Sequence, residues 1–125
     1  MVLLLLQDHS ERSDYMKIIK LKLDFLSGPV WGEFYSVERH KSVTGIKIVD
    51  NDYGVERIHN QMQDLYSSYY AFDVNGQSCT FNKEQQQKDK PKMLELLASL
   101  KARLDEINDG SYEIEDCITP EYEGL

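Results

Sequence analysis

The feature that most constrains this chain is a change in the spacing of its apolar residues. Residues 17–25 alternate in character, and Ile19, Leu21, Leu23 and Phe25 form the apolar set. A period of two predicts a strand with one buried face. Two later stretches change to spacings of three and four, which predict amphipathic helices. We therefore expect one α+β domain.

Two further strands are predicted after Gly28-Pro29, which ends the first one. The runs at 33–38 and 43–49 are separated by a short polar stretch and predict a hairpin. With the first strand they predict a three-stranded antiparallel meander. Asn75-Gly76 lies between apolar residues and predicts a second hairpin, because both turn residues tolerate positive φ.

The first predicted helix follows Asn51 or Asp52, either of which can cap it. Its buried side is expected to contain Val55, Ile58, Met62, Leu65, Tyr66 and Tyr69.

The second predicted helix begins at Asn82, with Gln85 as the partner of a capping box. Pro91 removes a backbone hydrogen bond, so we expect either a helix start near Asp89 or a kink. The apolar stripe of this helix comprises Met93, Leu97, Leu100, Leu104 and Ile107.

A last strand, at the edge of the antiparallel sheet, is predicted around Tyr112 and Ile114. The pattern as a whole predicts this sheet packed against two amphipathic helices. Residues 16–118 form the expected domain, and residues 119–125 an acidic C-terminal tail. Residues 1–15 are interpreted as an extension before Met16, although they could also hold a first strand. Their apolar run is too short for a signal sequence or a spanning helix.

The charge of the chain is concentrated at its C-terminal end. The chain has 22 acidic and 14 basic residues, and its formal net charge is −8. Eight of the acids, with no lysine or arginine, lie in residues 105–125, so residues 1–104 are neutral in sum. An acidic end disfavours nucleic acid and anionic membranes as partners, and it favours a basic protein.

Reactive side chains form no recognisable catalytic pattern. His9, His40 and His59 are widely spaced, and His59 is interpreted as a packed or polar-edge residue of the first helix. Cys79 and Cys117 form no C-x-x-C pair, so two reduced thiols in a cytoplasmic protein are expected.

The run "DNDYG" at residues 50–54 starts like a calcium loop. Later ligand positions hold Gly54, Val55 and Gln61, which do not complete that pattern, so helix capping is the better interpretation. We predict no catalytic residue, no cofactor and no metal.

The acidic end also contains tyrosines, whose rings suit protein recognition. Tyr66 and Tyr69 continue a helical stripe, and half-buried core is the preferred interpretation for them. For Tyr112 and Tyr122, core and interface remain open alternatives. The hypothetical partner surface comprises Asp109, Tyr112, Glu113, Glu115, Asp116, Glu121, Tyr122 and Glu123, with Tyr66 and Tyr70.

Four stretches carry a resemblance to a known class of proteins. These are "GPVW" (28–31), "LYSSYYAFD" (65–73), "FNKEQ" (81–85) and "MLELLASLKARLDEINDGSYEIED" (93–116). Their order resembles that of small acidic immunity proteins from bacterial contact-dependent growth inhibition and related toxin systems, over about residues 16–118. The resemblance implies a cytoplasmic antitoxin that binds one cognate toxin domain, often a nuclease, and blocks it. It assigns no individual contact residue.

Three functional classes remain from the sequence. An immunity protein would cover a basic surface of its toxin, and an adaptor or regulatory protein would bind another basic protein. An enzyme is the least favoured class, because the recognised catalytic motifs are missing.

Overall fold

The computed structural model describes residues 16–32, 34–38, 41–72 and 78–125. It shows a mixed α+β fold with two long helices and several short elements. The strands are β1 (Lys17–Leu21), β2 (Phe34–Ser36), β3 (Lys41–Val43), β4 (Tyr70–Phe72), β5 (Cys79–Phe81) and β6 (Tyr112–Asp116). The helices are α1 (Lys47–Asp50), α2 (Tyr53–Ser67), α3 (Lys83–Lys88), α4 (Lys90–Glu106) and α5 (Ile118–Glu123).

The predicted antiparallel meander is wrong, because β1 pairs with β6 in parallel. Ile19 lies opposite Ile114 in this pair. A parallel pair needs a crossover connection, and here the connection contains both long helices. On the other edge of β1, the segment 29–31 runs antiparallel, and the Trp31 N–H donates to the Lys20 carbonyl at 3.1 Å.

Both predicted hairpins occur as antiparallel pairs, β2 with β3 and β4 with β5, but the second strand of the first hairpin lies at Lys41–Val43 and not at residues 43–49. The Asn75-Gly76 turn itself lies outside the described residues. The run at 43–49 is not one strand, since α1 begins at Lys47. The Asp50 carboxylate accepts hydrogen bonds from the Thr44 N–H at 2.9 Å and the Gly45 N–H at 2.9 Å, which hold the chain in a turn.

Helix α2 follows the predicted pattern, and Asp52 is its cap, with Oδ2 accepting the Val55 N–H at 2.9 Å. The predicted second helix divides into α3 and α4 at Asp89, which agrees with the start expected from Pro91.

Asn82 caps α3 by accepting the Gln85 N–H at 3.0 Å. The reciprocal half of the capping box is not formed, since the Asn82 N–H donates to the Tyr69 carbonyl and the Gln85 side chain donates to Asp89.

The core lies between the β1–β6 pair and the two long helices. Inward residues of β1 meet the stripes of α2 and α4, and Met62, Met93, Leu100 and Leu104 are fully buried. Residues 119–125 were expected to form an acidic tail, yet helix α5 covers most of them and buries Tyr122 completely. The reason is that Ile118 and Tyr122 are four residues apart and share one helix face.

Candidate partner-binding surface

The geometry of β6 decides which acidic residues reach solvent. Side chains alternate along a strand, so Tyr112 and Ile114 point toward the helices while Glu113 and Glu115 point away. Glu113 and Glu115 are both exposed and stand about 7 Å apart along the strand. The pairing with β1 fixes this orientation through five registered residues on each strand.

Helix α5 adds two more exposed acids. Ile118 and Tyr122 anchor its inner face, so Glu121 and Glu123 remain at the surface. We call Glu113, Glu115, Glu121 and Glu123 the acidic rim. In the described part of the chain, none of these four has an ion-pair partner within 4 Å.

Asp116 was expected at the partner surface, but its carboxylate forms hydrogen bonds within the fold. Oδ1 accepts the Ile118 N–H at 2.8 Å and the Thr119 N–H at 3.0 Å, and Oδ2 is 3.1 Å from Lys101 Nζ. Burial alone would raise its pKa, yet the hydrogen bonds from Thr119, Lys101 and Ile118 hold that pKa below the ordinary value. This side chain is therefore committed to the start of α5.

Asp109 is exposed, as the partner-surface hypothesis requires, but it also shapes a turn. Its Oδ1 accepts the Ser111 N–H at 3.1 Å and the Ser111 hydroxyl at 2.5 Å. These bonds, the hydroxyl first, lower the pKa of Asp109.

Tyr112 and Tyr122 belong to the core, which resolves the two alternatives left open by the sequence. They are 2% and 0% exposed, so neither ring can reach a partner across this surface. The Tyr112 hydroxyl donates to the Leu104 carbonyl at 2.5 Å. Tyr112 lies two residues before Ile114 in a strand, and Tyr122 lies four residues after Ile118 in a helix. Residues at these spacings share one face of their element, so the apolar partner of each tyrosine was the sequence signal for its burial.

An aromatic cluster contains Tyr66 of α2, Tyr69, Tyr70 of β4 and three phenylalanines, Phe25, Phe72 and Phe81. Tyr66 is buried, and only Tyr70 of the two hypothetical contacts keeps partial exposure. The Tyr70 ring centroid lies 4.8 Å from that of Phe25 and 4.9 Å from that of Phe81. Burial raises the pKa of Tyr66, with Tyr70 adding to the shift.

A lysine of β1 lies beside an acid of β6, a relationship that charge counting along the chain could not reveal. Lys20 is the register partner of Glu115. Burial of the Glu121 carboxyl raises its pKa, while Lys22 and Gln86 act in the opposite direction. Two of the four rim acids, Glu115 and Glu121, therefore lie near positive charge, whereas the register partner of Glu113 is the apolar Ile18.

The uncovered face of the β1–β6 pair also has an apolar part. Ile18 is 61% exposed and Trp31 38% exposed. Trp31 Nε1 donates to the Lys22 carbonyl at 2.7 Å, and Lys22 Nζ lies 5.5 Å from the ring centroid. The sequence pattern did not indicate this apolar patch. Ile18 falls on the polar side of the alternating strand pattern, which was expected to face solvent.

His59 packs within the fold beside a small cleft. Its Nδ1 accepts the Val30 N–H at 3.2 Å, and its ring lies so close to Gly28 that a Cβ there would overlap it. The cleft also contains Thr44 and Asp50, and its volume of about 40 Å³ has room for no more than a few water molecules. His9 and His40 lie outside the described residues.

Across the described ranges, no cluster of His, Cys, Asp and Glu side chains is arranged to bind a metal ion. Cys79 and Cys117 are both free thiols. None of the helices found between residues 16 and 125 has the length and apolar character needed to cross a membrane.

Comparisons with protein-family models, with curated proteins and with solved structures found no match for this chain.

Proposed function

We propose that this chain is an immunity protein that binds a basic toxin domain and neutralises it by covering its charged surface. The observation that carries the proposal is the acidic rim, whose four glutamates are exposed residues with no ion-pair partner within 4 Å in the described structure. Nucleases and other phosphate-binding enzymes present basic surfaces to their substrates. An acidic surface of the right shape would be steered to such a site and would exclude the substrate.

The rim is held on a rigid support, which reduces the entropy lost on binding. Glu113 and Glu115 stand on a strand whose Tyr112 is locked by a hydrogen bond to α4. Glu121 and Glu123 stand on a helix whose Tyr122 is fully buried. These backbone positions are therefore set before a partner arrives.

The test uses the toxin domain encoded by the reading frame next to the gene for this chain, because toxin and immunity genes are expected to be adjacent. We expect this domain to inhibit growth when produced alone, and co-expression of the full chain to restore growth. The purified proteins should form a complex of fixed stoichiometry in native mass spectrometry. A domain that neither inhibits growth nor binds the chain would contradict the proposal.

A charge-matched pair of variants tests the role of the rim. One variant carries Glu113→Gln, Glu115→Gln, Glu121→Gln and Glu123→Gln. The control removes four charges elsewhere, through Glu38→Gln, Asp64→Asn, Glu84→Gln and Glu95→Gln. The net charge of the two variants is identical, so stronger loss of protection by the rim variant would assign the effect to position and not to total charge.

A further inference from the structure

Strand β6 has an outer edge, on the side away from β1, where its backbone groups are not paired with another described strand. In a parallel pair, alternate residues of each strand direct their backbone groups to the partner. The Lys17 N–H donates to the Ser111 carbonyl at 3.1 Å, and the Cys117 N–H donates to the Leu21 carbonyl at 2.9 Å. With the observed register, residues 111, 113, 115 and 117 face β1, and residues 112, 114 and 116 direct their backbone groups outward.

Part of this outward edge is occupied and part is open. The Asn108 side chain donates to the Tyr112 carbonyl at 3.0 Å and so closes one end. The N–H and C=O of Ile114 and the N–H of Asp116 have no hydrogen-bond partner among the described residues. An edge of this kind can accept another extended chain.

We infer that the outer edge of β6 accepts an extended, lysine- or arginine-bearing segment of the partner protein as an added strand. The inference deepens the proposed function and rests on it. Glu113 and Glu115 flank Ile114 and stand exposed on one face of the sheet, so a paired strand would place its own side chains directly beside them. Opposite charges favour such cross-strand neighbours and like charges oppose them.

The same charges argue against a second copy of this chain as the occupant. Two copies paired through β6 would bring Glu113 and Glu115 of one copy against those of the other, with like charges adjacent. Among the described strands, β6 is also the only one at a free edge that carries carboxylates, since β2, β3, β4 and β5 have none. Charge complementarity therefore selects a basic strand here.

Ile114→Pro is the most specific test, since proline removes the outward N–H and leaves the hydrogen bonds to β1 intact. Ile114→Ala is its matched control, because it also removes the half-buried side chain but keeps the N–H. With the toxin domain described above, we expect Ile114→Pro to raise the Kd at least tenfold and Ile114→Ala to raise it less than threefold.

Amide hydrogen exchange on the wild-type chain provides a measurement that does not depend on the folding of a variant. In the free protein, the amides of Glu113 and Glu115 should be protected and those of Ile114 and Asp116 should exchange rapidly. In the complex, the Ile114 and Asp116 amides should become protected by at least tenfold.

The possible results separate the two proposals. If the wild-type chain binds the domain but the Ile114 and Asp116 amides stay unprotected, or both variants bind equally well, the strand-addition inference is overturned and the proposed function stands. If the wild-type chain does not bind the domain, the proposed function is overturned and the inference falls with it. Self-association protecting the same amides without the domain would identify a second copy as the occupant and would also overturn the inference.

Discussion

Arg103 and Asp52 join the two long helices through a bidentate ion pair. Arg103 Nε lies 2.9 Å from Asp52 Oδ2, and Arg103 Nη2 lies 2.6 Å from Asp52 Oδ1. The same Asp52 carboxylate caps α2 through the Val55 N–H. One side chain therefore both starts α2 and fastens it to the C-terminal half of α4.

This double role predicts that Asp52→Ala is more destabilising than Asp52→Asn. The alanine variant loses the cap, at a cost of about 0.5–2 kcal/mol, as well as the ion pair. Asparagine keeps a side-chain oxygen that can accept the Val55 N–H. Urea unfolding of both variants checks the order, and equal losses of stability would show that the cap contributes little.

Asp52 also predicts a pH dependence. The hydrogen bond from Arg103 lowers the pKa of Asp52 from its ordinary value of 3.8. A carboxylate whose pKa is lower in the folded state than in the unfolded state stabilises the fold fully at pH values above its unfolded-state pKa. That stabilisation is lost as the pH falls through its folded-state pKa. The stability difference between wild type and Asp52→Asn should therefore shrink below about pH 4. A constant difference down to pH 2 would contradict this assignment.

Alanine substitutions in the buried apolar stripe of helix α4 should lower the free energy of unfolding strongly. Leu97 is 2% exposed and Leu104 0% exposed. Leu97→Ala and Leu104→Ala should each cost about 2–5 kcal/mol in the free energy of unfolding. Glu95→Ala on the exposed face is the control and should change it by less than about 0.5 kcal/mol. Chemical denaturation measures all three.

Two buried tyrosines predict opposite results for the same substitution. Tyr112→Phe removes a hydrogen bond to the Leu104 carbonyl and should cost about 0.5–1.5 kcal/mol. The Tyr122 hydroxyl is buried and has no hydrogen-bond partner in the described structure. Burial raises the pKa of Tyr122 to about 12, and the nearby Gln86 side chain acts in the opposite direction. Tyr122→Phe should therefore be neutral or stabilising. Thermal unfolding compares them, and a larger loss for Tyr122→Phe would show that Gln86 bonds the hydroxyl.

Amide substitutions at the neighbouring residues Asp116 and Glu115 should have different effects on stability. Asp116→Asn should lower stability by about 1 kcal/mol, because the ionised carboxylate accepts two N–H groups of α5 and pairs with Lys101. Glu115→Gln should change it by less than about 0.5 kcal/mol. Equal effects in a denaturant titration would mean that the start of α5 does not depend on this charge.

The acidic rim predicts a salt-dependent rate of association with the proposed toxin domain. Replacing its four glutamates with glutamine should slow association by about tenfold at low salt, since steering acts mainly on the on-rate. Near 0.15 M salt the screening length is about 8 Å, so the difference should shrink. Stopped-flow mixing across a salt series measures this, with the charge-matched control in parallel. Identical salt slopes for the rim and control variants would show that the rim carboxylates do not steer association, and the apolar patch of Ile18 and Trp31 would be the next set of residues to test.

The sequence alone predicted the elements whose signal is local. Alternation identified the buried side of β1, and spacings of three and four identified the buried faces of α2 and α4. The cap expected at Asn51 or Asp52, and the helix start or kink expected near Asp89, follow from side chains within a few residues of the helix starts. Such features are fixed by neighbouring residues, so they can be read before the fold is known.

The tertiary structure decided the features that depend on distant residues. Residues 17–21 and 112–116 are far apart in the chain, and nothing local distinguishes parallel pairing with β6 from an antiparallel meander. That pairing set Lys20 beside Glu115, buried Tyr112 and left the Ile114 edge open. The sequence determined how many charges the C-terminal end carries, but only packing decided which of them bind the fold and which face solvent, because each carboxylate's environment comes from elements outside its own segment.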